Sequence, residues 1–215
     1  MLTERYIEYI YGLVENVPAN KYVPLPPNDG DWKWEKKDFP RVIALLEFRE
    51  LMAGRTFDKV VSFNGATDPE YEYLVYNSCD NYDYPEYDLH NLILPENDYD
   101  FVMINQTLEH LYCPVLALKS IYKHLGNGAM IYANVPVNNI PHSTPLHFYT
   151  GITAVGLGTM MVLAGFEVVR LGQWGNKTYF KQMFDSLWSD YTYCENPGHN
   201  DIECPIITWC LAIKR

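Results

Sequence analysis

The sequence predicts an α/β layer fold built on a mostly parallel sheet. Two observations carry that prediction. Strand-like and helix-like segments alternate through most of the chain, the pattern of strands joined by covering helices. The strand-like segments, such as KVVSF and AMIYANVP, are continuous apolar runs, as expected where both faces of a sheet are covered. The length of 215 residues fits one domain, residues 1–215, and no repeat or low-complexity tract interrupts it.

Each element follows from its residues. Residues 3–16 set Tyr6, Ile7, Ile10, Leu13 and Val14 near helical spacing. The stretch VPANKYVPLPPNDGDWKWEKKDFP is too rich in Pro, Asn and Gly for helix or central strand. It is long for a plain loop, so residues 1–40 are expected to form an N-terminal helix followed by an arm or lid, the lid over 18–40. RVIALLEFRELMAG predicts a helix ended by Gly54. KVVSF, 59–63, is a strand running into a turn, and DPEYEYLVYNSC contains a second strand. YDFVMINQ is a third, followed by the helix PVLALKSIYKHL with Pro114 in its first turn, where a missing N–H costs nothing. GNG, 126–128, predicts a turn, and AMIYANVP a strand. TAVGLGTMMVLAG is a helix stopped by Gly165, FEVVRLGQW a strand, KTYFKQMFDSLWSDY a helix and IITWCLAIK a closing strand.

Composition excludes some functions. The formal net charge of −11 argues against a nucleic-acid partner gripped by its phosphates. No window approaches eighteen apolar residues and the N-terminus lacks a signal-peptide core, so no membrane span and a cytoplasmic location are expected. Five cysteines at irregular spacing read as reduced thiols. Cys194, His199 and Cys204 have C-x4-H-x4-C spacing, but three ligands close no structural zinc site, and no metal is assigned.

Ligands of open α/β sheets bind at the carboxyl ends of the strands. Those ends carry Ser62, Phe63, Asn64 and Gly65, then Asp80, which stands 18 residues beyond Ser62 near the spacing of a ribose-binding carboxylate. DLHNLILP, NQTLEHLYCP and NVPVNNIPHSTPLHFYT add further polar ends. Trp32, Trp34 and Trp174 are candidates for a stacking wall against a substrate, with core packing as the alternative for Trp174.

The run PENDYDFVMINQTLEHLYCPVLALKSIYKHLGNGAMIYANVP, with LHFYTGIT and GFEVV after it, resembles class I S-adenosylmethionine-dependent methyltransferases over roughly residues 58–174. The resemblance implies a Rossmann-like three-layer sandwich of about seven strands, the last one antiparallel. It implies S-adenosylmethionine as cofactor. The turn of Ser62, Phe63, Asn64 and Gly65 would face the methionine carboxylate and Asp80 the ribose. Asp88 and Leu89 would meet the adenine, and Asn105 and Gln106 would pass beside the sulfonium. The chain departs from the family at Ser62, where an acidic residue is usual, and at Asn64-Gly65-Ala66 in place of G-x-G.

Methyl transfer to oxygen calls for a positioned base, for which His147, His142 and His110 are candidates. His147 is favoured, with Tyr149 beside it in the substrate-facing loop. The chain is similar in layout to small methyltransferases that decorate surface glycans in bacteria and large DNA viruses, which implies a sugar or glycan hydroxyl as acceptor, and the host cytoplasm as location if the chain is viral. Another small-molecule acceptor, a catalytically inactive methyltransferase-like scaffold and a nucleotide-dependent oxidoreductase remain alternatives, the last without its G-x-G-x-x-G turn.

Overall fold

A computed structural model describes residues 4–16, 39–63, 67–185 and 199–215. Seven strands form one sheet: β1 (Val14–Asn16), β2 (Phe57–Ser62), β3 (Tyr76–Asn81), β4 (Tyr99–Asn105), β5 (Leu125–Pro136), β6 (Glu167–Gly175) and β7 (Pro205–Ile213). Their order across the sheet is β1-β6-β7-β5-β4-β2-β3. Neighbouring strands run parallel except at β7, which lies antiparallel between β5 and β6. The Rossmann-like sandwich and its antiparallel last strand are therefore present.

Among the described residues the α-helices are α1 (Glu4–Gly12), α2 (Phe39–Met52), α3 (Pro114–His124), α4 (Ala154–Ala164) and α5 (Lys177–Asp185). They cover the sheet on both faces. On one face α2 and α5 pack Phe48, Leu46 and Tyr179 against Phe101, Tyr132 and Trp209. On the other, α1, α3 and α4 pack Ile10, Leu118 and Leu157 against Val102, Ile131 and Leu171. Successive residues of a strand point to opposite faces, so β4 divides cleanly: Phe101 and Met103 toward α2, Val102 and Ile104 toward α3. Thr153 caps α4 by accepting from the Gly156 N–H, and Gly165 ends it at φ +108°, the stop the sequence predicts.

Two elements differ from expectation. The helix over 3–16 stops at Gly12, and Val14–Asn16 becomes an edge strand that pairs Val14 with Leu171. Gly12 was the signal for that break, and β-branched Val14 suits the strand beyond it. The GNG segment is not a free turn but the irregular start of β5. Gly128, at φ +82°, donates its N–H to the Lys214 carbonyl at 2.8 Å and so is drawn toward the end of β7. The expected arm over 18–40 and Asn64, Gly65, Trp32, Trp34 and Cys194 fall outside the described residues, apart from the start of α2.

Candidate active site

Four segments emerge at the carboxyl edge of the parallel strands: residues after β2, β3, β4 and β5. Among them lies a cleft of about 280 Å3. Phe63, Tyr82, Tyr84, Tyr87, Asp88 and Leu89 form one end of it, and Thr107, His110, Leu111, Tyr112, Leu146 and Phe148 the other. The size approaches that of a pocket for a small organic ligand, and its walls are mostly aromatic.

Asp88 is fixed at the rim by the residues that follow it. Its Oδ1 accepts from the His90 backbone N–H at 2.9 Å and lies 2.8 Å from His90 Nδ1. The Cys113 N–H donates to His90 Nε2 at 3.3 Å, so the ring proton sits on Nδ1 and is directed at Asp88. The backbone N–H and then the side chain of His90 hold the Asp88 carboxyl below its ordinary range. Its side chain stays half-exposed at the cleft, leaving an ionised acceptor there. The His90 ring is itself stacked on Tyr112, centroids 3.7 Å apart, which ties the segments after β3 and β4 together.

The other face of the strand ends carries a buried polar network that sequence reasoning missed. Asn105 and Asn134, both buried, project toward α2 with Ser62. Arg41 of α2 reaches Glu70 at 3.1 and 3.2 Å and Asp68 at 3.2 Å. Asn134 Nδ2 donates to Glu70 at 3.1 Å and to Asn105 Oδ1 at 2.8 Å, and Asn105 Nδ2 donates to Asp68 at 3.2 Å. Burial pushes the Glu70 carboxyl upward against the pull of the Arg41 guanidinium. Gln106 then turns the chain out of β4 at φ +48°, a conformation disfavoured for non-glycine residues. It is held there by its N–H and its amide, each 2.8 Å from Asn134 oxygens.

The sequence-predicted residues thus divide. Phe63, Asp88, Leu89 and His110 line the cleft. Ser62, Asn105 and Gln106 do not, and the first two are buried. Asp80 sits beside the cleft, its Oδ2 accepting from Tyr99 Oη at 2.8 Å. Trp174 is wholly buried within the core on the α2 face. Tyr149 is exposed at the loop after β5, its hydroxyl donating to the Tyr112 carbonyl at 3.2 Å.

The fold brings the three candidate histidines together. The backbone N–H groups of Phe148 and Tyr149 both donate to the Glu109 carbonyl, at 3.0 and 3.1 Å, and fold the loop after β5 over the segment after β4. Gly151 allows the loop to return, since a Cβ there would stand 1.8 Å from the Val137 carbonyl oxygen. Ring centroids of His110, His142 and His147 then lie 4.7 to 5.1 Å apart. Burial lowers the pKa of His110 and of His147, and neighbouring imidazoles lower both further, so the neutral rings dominate near pH 7. The Glu109 carboxyl beneath them is fully buried, and burial pushes its pKa up to about 7.

No protein-family model matches the sequence, and no curated protein matches it. Solved structures do match. The YcgJ protein of Bacillus subtilis is similar at a TM-score of 0.51 and 10% identity, over 81% of this chain and 99% of that one. A Mesorhizobium loti S-adenosylmethionine-dependent methyltransferase is similar at 0.49 and 11%, over 79% of this chain and 96% of its own. One from Thermotoga maritima is similar at 0.47 and 12%, over 82% and 90%. Likeness at such identity is one of fold, and this chain shares the Rossmann-like architecture of the YcgJ protein.

Proposed function

We propose that this chain is an S-adenosylmethionine-dependent methyltransferase that methylates a sugar or glycan hydroxyl. One observation carries the reading: the aromatic-walled cleft at the carboxyl ends of β2 to β5 runs from the Asp88 carboxylate to the His110 imidazole, whose pKa burial lowers. The cleft residues fit the adenosine part of the cofactor. Asp88 has one oxygen committed to His90, and its other oxygen accepts from the adenine amine while Leu89 packs under the base. Asp80, with Oδ2 taken by Tyr99, offers its remaining oxygen to the ribose hydroxyls. The backbone of Phe63, Asn64 and Gly65 takes the methionine end, and Asn105 and Gln106 bound the sulfonium through their main chain.

Bound there, the cofactor would supply an electrophilic methyl group to the acceptor oxygen, the C–S electron pair staying on sulfur. The chain's own task is to orient the acceptor and take its proton. Tyr112, Phe148 and Tyr149 expose ring faces beside His110 that suit the C–H face of a sugar, and the sequence offers Trp32 and Trp34 as further members of that wall. The hydroxyl proton passes to the cluster of His110, His142 and His147. His147 is the favoured acceptor because neither of its ring nitrogens has a hydrogen-bond partner among the described residues.

The test is calorimetric titration of the full chain with S-adenosylmethionine, followed by a labelled-methyl screen of sugar and non-sugar acceptors. Saturable binding and label on a sugar hydroxyl are expected. Absence of binding at millimolar cofactor refutes the enzyme reading, and label only on non-sugar acceptors refutes the glycan assignment.

A further inference from the structure

We infer that His110, His142 and His147 form a binding site for a divalent first-row cation of the zinc type, with the Glu109 carboxylate beside it. Each histidine offers one nitrogen, and these three atoms lie within 4.8 Å of one another. The rings meet at steep interplanar angles of 81°, 70° and 54°, so they converge rather than stack. Nitrogens bound to one zinc ion at about 2.1 Å stand roughly 3.4 Å apart in a tetrahedron, so loading draws them together by at most about 1.4 Å.

The tautomers suit ligation. His110 Nδ1 lies 2.8 Å from the Leu146 carbonyl and His142 Nδ1 lies 3.0 Å from the Ile140 carbonyl. A carbonyl only accepts, so both Nδ1 atoms carry the proton and both Nε2 atoms present a lone pair. This is the outer-shell arrangement that orients metal-bound imidazoles. His147 adds a separate sign: both its ring nitrogens are buried, and neither has a hydrogen-bond partner among the described residues.

Glu109 adds another. Its carboxylate is wholly buried, neither oxygen accepts a hydrogen bond from a described residue, and Oε1 lies 3.8 Å from His110 Nε2. An unpaired buried carboxyl and an unpaired imidazole are each costly, and one cation satisfies both. Three imidazoles with one carboxylate favour zinc over magnesium or calcium. His110 also lines the cleft, so the ion would stand where an acceptor oxygen enters. With the imidazole lone pairs taken by the metal, it would polarise that oxygen in place of the base the metal-free cluster offers, the proton passing to solvent. That last role rests on the methyl-transfer reading, whereas the metal site does not.

The experiment uses the full chain after chelation, titrated calorimetrically with Zn2+ alone and spectroscopically with Co2+, with S-adenosylmethionine titrated in parallel. One equivalent of Zn2+ is expected, with visible Co2+ bands of a four- or five-coordinate nitrogen site. His142→Ala and His147→Ala should each weaken Zn2+ binding by about 100-fold or more. His142→Gln and His147→Gln repeat the measurement with side-chain volume kept, and thermal melts check that each variant folds. Wild-type chain without stoichiometric Zn2+, or folded variants that bind it as tightly as wild type, overturns the site. Zinc binding without cofactor binding leaves the metal site standing and refutes the enzyme reading. Cofactor binding without zinc does the reverse.

Discussion

Replacing Arg41 with Met removes the guanidinium that faces Glu70 while keeping most of the side chain's apolar volume. The consequence follows from the geometry at the strand ends. Arg41 is 4% exposed and Glu70 is 0% exposed, and the pair is joined by contacts of 3.1 and 3.2 Å. Without the guanidinium, Glu70 keeps the Asn134 amide at 3.1 Å, and Asp68 keeps the Asn105 amide at 3.2 Å. Removing one partner of a buried ion pair costs about 3–5 kcal/mol. For a chain of this size, each kcal/mol lowers Tm by about 2–4 °C, so a drop of roughly 6–20 °C is expected.

The pH dependence has a definite sign. Glu70 is already pushed up by burial, and Arg41 is the main influence opposing that. Its loss raises the folded-state pKa further. A carboxyl raised on folding contributes stability that is present at low pH and lost as pH rises through the folded value, at about 1.4 kcal/mol for each tenfold gain in proton affinity. Arg41→Met should therefore be destabilised most near pH 8 and less near pH 5. Urea unfolding of variant and parent at both pH values measures this, and adding Glu70→Gln to the variant should recover part of the loss at pH 8. Equal losses at both pH values, or a loss under about 1 kcal/mol, would show that Glu70 is not held as a buried anion.

Two further substitutions test opposite assignments. Asp88→Ala removes an ionised acceptor at the cleft rim, and S-adenosylmethionine affinity by calorimetry should fall about tenfold, some 1.4 kcal/mol, with little change in Tm. Unchanged affinity would remove Asp88 from the cofactor site. Trp174→Ala should cost about 3–5 kcal/mol in urea unfolding, because the indole is wholly buried, while acceptor KM at reduced temperature stays at the parent value. A stable variant with a raised KM would restore Trp174 to a substrate wall.

The fold was legible because it rests on local signals. Buried strands such as YDFVMINQ have few other readings beside capped helices, and Pro114 and Gly165 mark helix ends by their own backbone chemistry. The edge strand at Val14 was hidden because three residues carry no period, and only β6 alongside makes them a strand. The cleft was legible in its height along the strands but not in its sides. Carboxyl ends are fixed by a parallel sheet, so Asp88 and Phe63 fell at the cleft. The partners of Arg41 lie 27 and 29 residues away, and no spacing rule links a helix position to acids beyond the next strand. The histidine cluster has the same origin: the Glu109 carbonyl gathers N–H groups from Phe148 and Tyr149, and that contact brings together three rings that are each ambiguous alone.

On the proposed reading, the two faces of the strand ends divide the work between rigidity and binding. Toward α2, the side chains of Ser62, Asn105 and Asn134 are buried, and ion pairs and amides fix where each strand ends. Toward α3, Leu89 and Phe63 pack beside an open cleft whose polar groups, Asp88 and His110, remain reachable. Gln106 stands at the crossing point. Its left-handed backbone is held from the α2 side by Asn134, and it directs the chain into Thr107 and His110 on the cleft side. A site anchored this way needs no rigid loop of its own, because the strained turn is over-determined from beneath. Substitutions on the α2 side should therefore register as lost stability and those on the cleft side as lost affinity. Arg41→Met and Asp88→Ala are the pair that separates these outcomes, since their side chains bear on the same strand ends from opposite faces.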